Sequence, residues 1–127
     1  MVLRWPLRID EERHDGALVL ILAGRLGTAS APQFDAKVAE AVLRGDRRLV
    51  IDLKGVDYVS SAGLRCFMLA SRQAKAQSGR IFVAALQPMV REIFEISHFN
   101  LVFQVFPSVR EALGAVSAEA SAAFDKG

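Results

Sequence analysis

The sequence predicts a single α/β domain built on a mixed β-sheet, and three observations support this fold class. The chain has 127 residues, 52% of them hydrophobic and 24% charged, which suits one globular core. Apolar runs of strand length alternate with stretches whose apolar residues recur every three or four positions. The first two runs are separated only by the turn signal of residues 14–16. Alternating strands and helices favour a parallel sheet centre, and the tight turn favours an antiparallel hairpin at its edge.

The opening hairpin consists of one weakly alternating strand and one apolar strand. Residues 3–13 alternate between apolar and polar side chains, and Pro6 favours a place at the sheet edge. Residues 17–23 are apolar on both faces, which indicates a strand inside the sheet. We therefore expect the first strand to cover one side of the second.

The remaining elements alternate regularly. Ser30 and Pro32 have the residue types that begin a helix, and Gly45 has the type that ends one. The third predicted helix has an apolar stripe formed by Val90, Ile93, Phe94 and Ile96. Ser108 precedes the last predicted helix and is placed to cap it. The expected spans are helix 31–43, strand 48–53, helix 62–78, strand 80–85, helix 88–97, strand 101–106 and helix 109–117.

Composition limits the classes of function. The domain is expected to occupy residues 1–117, followed by a tail at 118–127 that is frayed in part. A net charge of +2 without basic runs argues against nucleic-acid binding. The N-terminus lacks signal-peptide features and the apolar run 17–23 is too short to span a bilayer, so we expect a cytoplasmic protein without membrane insertion. Cys66, the only cysteine, is predicted to be a buried, inert thiol.

The candidate site lies where two loops should meet. In a parallel sheet, sites form at the carboxyl ends of the strands. The loops 24–30 and 57–63 should both leave that edge, and they carry the polar residues Arg25, Thr28, Ser30, Asp57, Tyr58, Ser60 and Ser61. A serine between a strand and a helix can cap the helix, act as a nucleophile or accept a phosphate.

Catalysis and metal binding have little support in the sequence. Ser61 and Gly63 match half of a G-x-S-x-G elbow, but Val59 replaces its first glycine. The two histidines, His14 in the hairpin turn and His98 after a helix, are not expected beside Ser61. No cluster of metal ligands and no nucleotide-binding fingerprint is present, so we expect neither metal nor cofactor.

Phosphorylation needs only what this stretch contains. A phosphoserine carries nearly two negative charges, and the free N–H groups of a helix N-terminus stabilise an anion. The small neighbours Ala62 and Gly63 would leave the Ser61 hydroxyl open to a kinase. A partner docked on this loop and helix would then meet new charge and bulk. The sequence therefore allows a switch without catalytic residues.

Residues 51–64, Ile-Asp-Leu-Lys-Gly-Val-Asp-Tyr-Val-Ser-Ser-Ala-Gly-Leu, resemble the signature of the STAS domain in its single-domain form, the anti-sigma factor antagonist. Gly24-Arg-Leu, Ala31-Pro32 and the order of elements strengthen the resemblance, which covers roughly residues 15–117. It implies a binding module, not an enzyme. Such a module binds an anti-sigma factor that is a serine kinase, is released when that kinase phosphorylates it, and is restored by a PP2C-type phosphatase.

Aligned with the family pattern Asp-Ser-[Ser/Thr]-Gly-Leu, the acceptor falls on Ser61, with Ser60 as a second candidate. Two departures are visible: Ser60 replaces the usual Asp, and Gly27 stands where the family often has Asp in the preceding loop. The resemblance and the helical spacing together predict a partner-binding surface formed by Thr28, Ser60, Ser61, Ala62, Gly63, Arg65, Leu69 and Arg72.

Two further expectations concern assembly. We expect the free protein to be a monomer. The alternative to a phosphorylation switch is a constitutive STAS scaffold, a subunit of a stress-signalling complex or of a lipid-transport ATPase, that binds through its second helix. A kinase and phosphatase gene nearby would favour the switch, and transporter genes would favour the scaffold.

Overall fold

The computed structural model describes residues 7–116, which form one five-stranded sheet with the spatial order β1-β2-β3-β4-β5. β1 pairs antiparallel with β2, and the remaining neighbours are parallel. The predicted α/β class, the edge hairpin and the four helices are confirmed. The elements are β1 (Arg8–His14), β2 (Ala17–Leu26), α1 (Ala31–Leu43), β3 (Arg48–Val59), α2 (Ser61–Ala76), β4 (Arg80–Ala84), α3 (Pro88–Ile96), a 3-10 turn η1 (Phe99–Leu101), β5 (Gln104–Phe106) and α4 (Val109–Val116).

Alternation along the central strands creates two cores, one on each face of the sheet. Leu49, Ile51 and Leu53 of β3 are buried in the larger core, which α1, α2 and α3 cover. Val50, on the opposite face, packs in a smaller core with Leu113 of α4. Successive side chains of a strand point to opposite faces, so a strand buried on both sides is mostly apolar.

A chain of aromatic contacts joins the three helices of the larger core. The ring of Phe67 in α2 lies 5.1 Å from that of Phe34 in α1 and 5.6 Å from that of Phe94 in α3, measured between ring centroids. Phe103 completes the cluster at 5.9 Å from Phe67. Tilted and edge-to-face rings at these separations attract beyond the burial of their area. The aromatic cluster fixes α2 between its neighbours.

β2 and β3 are longer than the sequence predicted. β2 continues through Leu26 and β3 through Val59, so Asp57 and Tyr58 lie on a strand and not in a loop. The pairing between the two strands shifts register twice, between Ile21 and Ala23 and again after Gly24. Gly24 has a φ of 117°, which L-residues rarely adopt. Such bulges keep two strands paired although one contributes extra residues.

Other boundaries also differ from the prediction. β1 begins at Arg8 and ends at His14, which is therefore not in the turn; the predicted start at residue 3 and the tail 118–127 lie outside the described residues. Leu101 belongs to η1, so β5 is only three residues long. Ile96 is 72% exposed and does not join the apolar stripe of α3. Ser108 does cap α4, accepting a hydrogen bond from the Glu111 N–H at 3.2 Å.

Within residues 7–116, none of the helices is long and apolar enough to cross a membrane.

Candidate partner-binding site

The site is built from two short connections at the carboxyl edge of the sheet. Residues 27–30 link β2 to α1, and Ser60 alone links β3 to α2. The N–H of Ser60 donates to the carbonyl of Leu26 at 2.9 Å, which continues the β2–β3 pairing up to the helix start. The two connections are therefore adjacent, as the sequence predicted.

Ser60 and Ser61 occupy different positions at the start of α2. Ser60 is the N-cap of α2, with extended backbone angles, and its Oγ accepts a hydrogen bond from the Gly63 N–H at 3.2 Å. Its carbonyl accepts the N–H of Leu64 at 2.9 Å. Ser61 is the first residue of the helix, and it is exposed. The capping role considered for Ser61 is thus filled by Ser60.

Gly63 is required by close packing. A Cβ built on Gly63 would lie 2.6 Å from the carbonyl oxygen of Leu26 and 3.0 Å from a side-chain carbon of Val59. Real Cβ contacts are longer, so the first turn of α2 reaches this depth only because residue 63 has no side chain. Gly63 is consequently buried. Its close packing against Leu26 and Val59 sets the position of the first turn of α2, which carries Ser61.

The loop before α1 is held by Ser30. The Ser30 hydroxyl donates to the Arg25 carbonyl at 2.8 Å and accepts from the Gly27 N–H at 3.0 Å. Ser30 occupies the N-cap position, but its side chain makes no capping bond to the helix, contrary to the prediction. Thr28 lies exposed at the tip of this closed loop.

An open groove of about 600 Å³ runs between the first halves of α1 and α2. Its lining includes five of the eight predicted partner-binding residues and three that the sequence did not indicate. The predicted ones are Thr28, Ser61, Ala62, Arg65 and Leu69, and the additional ones are Ala31, Asp35 and Cys66.

Cys66 forms the floor of this groove as a buried thiol. Its Sγ donates to the carbonyl of Ala31 at 3.5 Å. Burial raises the pKa of Cys66 to about 11, and the nearby Asp35 carboxylate adds to the rise while Arg65 opposes it. The thiol is therefore protonated at neutral pH and a poor nucleophile, in agreement with the inert role predicted for it.

Four of the predicted partner-binding residues form a stripe along the outer face of α2. Arg65, Leu69 and Arg72 follow Ser61 at intervals of four, four and three residues, and all are exposed; Leu69 is 44% exposed. Residues at these intervals form one stripe along a helix. Arg72 lies at the far end of this stripe. The sequence therefore placed the stripe correctly on the solvent side of α2.

The two departures from the family pattern lie next to each other. A Cβ on Gly27 would be 3.6 Å from the Oγ of Ser60, an ordinary van der Waals distance. Two aspartates at these positions would bring two carboxylates together beside Ser61. In this chain a glycine and a capping hydroxyl occupy that place, so the immediate surroundings of Ser61 carry less negative charge.

Tyr58 and Arg25 flank the site on paired strands. The Arg25 guanidinium lies 4.6 Å from the Tyr58 ring centroid, within the range of a cation–π contact. Tyr58 is 37% exposed. This pair lies at the carboxyl ends of β2 and β3, next to Ser60.

The serine-hydrolase arrangement is not formed. His14 pairs with Ala17 at the start of β2, which is the amino edge of the sheet, and neither His14 nor His98 lines the groove that contains Ser61. Without a base beside it, Ser61 cannot be activated as in a catalytic triad. Among residues 7–116 there is also no group of three His, Cys, Asp or Glu side chains that could hold a metal ion.

Comparison with known proteins identifies the family. Residues 8–112 match the STAS domain, and the chain belongs to this family. The recognition made from residues 51–64 and the order of elements is confirmed, as is the single-domain fold.

Three similar proteins illustrate this relationship. BtrV of Bordetella bronchiseptica, a proposed anti-sigma factor antagonist, is 41% identical over 109 residues, which are 86% of this chain and 93% of BtrV. RsfB of Mycobacterium tuberculosis, an anti-sigma-F factor antagonist, is 27% identical over 103 residues, 81% of this chain and 84% of RsfB. The crystal structure of an anti-sigma factor antagonist from Mycobacterium paratuberculosis superposes with a TM-score of 0.79 at 26% identity, covering 87% of this chain and 93% of that one.

Proposed function

We propose that this chain is an anti-sigma factor antagonist, a binding module and not an enzyme, and that phosphorylation of Ser61 controls its binding. In the unphosphorylated state it binds an anti-sigma factor serine kinase through the loop at Thr28 and the exposed stripe of α2. The names of its relatives support the class of function. Since such a module acts where transcription takes place, we propose a cytoplasmic location.

One observation carries the choice of Ser61. The Oγ of Ser60 is occupied by the cap to Gly63 and Ser60 is half-buried, whereas Ser61 is exposed at the first helical position. A kinase must reach a hydroxyl without unfolding the helix start, and Ser61 allows this. The phosphate would also lie at the positive end of the α2 dipole, where an anion is stabilised.

A phosphate on Ser61 would release the bound partner, and its removal would restore the binding form. A phosphate adds nearly two negative charges and three acceptor oxygens in the middle of the proposed contact surface. A partner already docked there would lose contact with α2, while the fold would change little because the hydroxyl points away from the core. A PP2C-type phosphatase would restore the binding form.

Phosphate mapping tests the proposal. The chain is incubated with ATP and anti-sigma factor kinases of its host, and the modified residue is located by mass spectrometry. We expect phosphate on Ser61 in the wild-type protein and in Ser60→Ala, and none in Ser61→Ala. Phosphate on Ser60 alone would contradict the assignment.

A binding measurement separates the switch from the scaffold. The phosphorylated protein should bind the kinase at least about tenfold more weakly than the unmodified protein, because a partner that fits a neutral contact meets repulsion of several kcal/mol. Equal affinity of both forms would favour the constitutive STAS scaffold over the switch.

A further inference from the structure

Arg65 lies one helical turn after Ser61, on the same groove. Both side chains are exposed and both line the space between α1 and α2. Residues four apart on a helix are neighbours, and side chains lean towards the N-terminus, so the Arg65 side chain leans towards Ser61. An anion that precedes a cation by four residues has the favoured orientation. A phosphate on Ser61 would therefore be within reach of the guanidinium.

Arg65 is available for such a contact. Some other surface arginines are engaged in ion pairs, such as Arg13 with Asp46 at 2.6 Å and Arg8 with Asp10 at 3.0 Å. In the described part of the chain, the side chain of Arg65 forms no hydrogen bond or ion pair. Asp35 lines the same groove from α1, but it is not within ion-pair distance of Arg65. The groove therefore presents one positive and one negative side chain separately.

Phosphorylation of Ser61 would change the net charge of the groove and make it repel acidic groups. Its lining contains one arginine and one aspartate, which sum to zero. A phosphate at Ser61 would bring this sum to about −2 at neutral pH. Before modification Arg65 attracts an acidic group, and afterwards the phosphate competes for the same guanidinium and repels that group.

We propose that Arg65 reads the state of Ser61: free, it binds an acidic side chain of the partner, and once Ser61 is phosphorylated it pairs with the phosphate and is lost to the partner. Asp35 on the opposite wall strengthens the rejection, because it is a second negatively charged group beside the phosphate. Leu69, exposed one turn further along α2, gives the partner segment an apolar contact next to its acidic one. This inference rests on the proposed phosphorylation of Ser61.

A titration of the phosphate tests the pairing without any partner. The full chain is produced with phosphoserine at position 61, and phosphorus NMR follows its second ionisation. We expect the phosphate pKa to rise by about 0.3 in Arg65→Gln, the size of an exposed pair at this spacing. Asp35→Asn should lower that pKa, and Arg72→Gln should leave it unchanged. An unaltered pKa in Arg65→Gln would overturn the proposal.

A double-mutant cycle tests whether Arg65 mediates the effect of Ser61 phosphorylation on partner binding. Affinity for the anti-sigma factor kinase is measured for phosphorylated and unmodified protein in wild type, Arg65→Gln and Arg72→Gln. Arg65→Gln should weaken binding of the unmodified form, and it should reduce the effect of phosphorylation at least about threefold, since groups in contact couple by such amounts. Arg72→Gln should leave the effect of phosphorylation unchanged.

The two failures can be told apart. If phosphorylation weakens binding equally in wild type and Arg65→Gln, the switch stands and the role of Arg65 is wrong. If phosphorylation leaves wild-type binding unchanged while the phosphate pKa responds to Arg65, the proposed function fails and the pairing remains.

Discussion

Ser60 and Ser61 are identical side chains in different surroundings. The Ser60 oxygen satisfies a backbone N–H that the helix itself leaves without a partner, and the Ser61 oxygen faces solvent. A hydroxyl used for structure cannot be modified without loss, whereas an exposed one can. This division makes one residue the support and its neighbour the proposed acceptor.

The first prediction concerns this division. Ser60→Ala should lower the free energy of unfolding by about 1 kcal/mol, the usual cost of losing an N-cap. Ser61→Ala should change it by less than about 0.5 kcal/mol, since an exposed helical position tolerates alanine. Urea denaturation of both variants measures the difference, and equal effects would show that the cap is not confined to Ser60.

The second prediction concerns Gly63. Gly63→Ala should destabilise the protein by about 1–3 kcal/mol, because its Cβ would press on the Leu26 carbonyl oxygen. Gly114→Ala is the matched control: it also lies in a helix, but nothing lies within 4 Å of its added Cβ. The control should be neutral or stabilising by up to about 1 kcal/mol. Thermal unfolding measures the stability of both variants, and a Gly63→Ala protein as stable as Gly114→Ala would contradict the prediction.

At the scale of elements, an ion-pair network fastens β1 to the end of α1. The Arg13 guanidinium contacts both oxygens of Asp46 at 2.6 and 3.1 Å, and Arg44 contacts Asp46 at 3.1 Å. Glu11 is bound by Lys37 at 2.8 Å and by Arg44 at 3.2 Å. Hydrogen bonding from Arg13 lowers the pKa of Asp46, and hydrogen bonding from Lys37 lowers the pKa of Glu11.

The third prediction is a pH dependence with a definite sign. Carboxylates whose pKa is lower in the folded state stabilise the fold above their ordinary pKa, near 4, and this stability is lost as the pH falls. Unfolding free energy should therefore decline below about pH 4.5, and the decline should be smaller in Asp46→Asn. Asp57→Asn serves as the control, an exposed carboxylate without an ion pair among residues 7–116. If the unfolding free energy fell equally with pH in Asp46→Asn and Asp57→Asn, the stabilising role of the Asp46 ion pairs would be contradicted.

At the scale of the molecule, the ion-pair network and the proposed recognition site lie at opposite edges of the sheet. The ion-pair network lies near the amino edge, where β1 ends and β3 begins, and Ser61 lies at the carboxyl edge. The aromatic cluster around Phe67 holds α2 from beneath. The exposed stripe of α2 can therefore change its charge without disturbing either source of stability.

The fourth prediction is that the free protein is a monomer. Both edges of the sheet discourage pairing between copies, because β1 alternates with charged side chains such as Arg8, Asp10 and Glu12 and β5 has only three residues. Light scattering after gel filtration should give a mass of 13.9 kDa. Twice that mass at micromolar concentration would show a dimer and contradict the prediction. The exposed apolar residues Ile96 and Leu101 would then be substituted first to locate the dimer contact.

The fold could be predicted in large part because its signals are local. Short apolar runs and, for β1, alternation indicated the strands, and helical spacing of apolar residues indicated the helices. The boundaries that failed at Leu26 and Val59 depend on strand pairing between residues distant in the chain, whereas Leu101 lies in the 3-10 turn η1, which is held by local hydrogen bonds. The Lys54-Gly55 pair has low strand propensity, yet bulged pairing with β2 keeps it in the sheet.

The site divides in the same way. The sequence by itself determined the family, the serine pair at a helix start and the outward stripe of α2, because these depend on neighbouring residues and on the helical repeat. Only the tertiary structure decided that Ser60 caps and Ser61 is exposed, that Gly27 lies beside Ser60, and that Asp35 joins the groove. Each of these depends on how α1, α2 and the ends of β2 and β3 pack, and that packing brings together residues far apart in the chain.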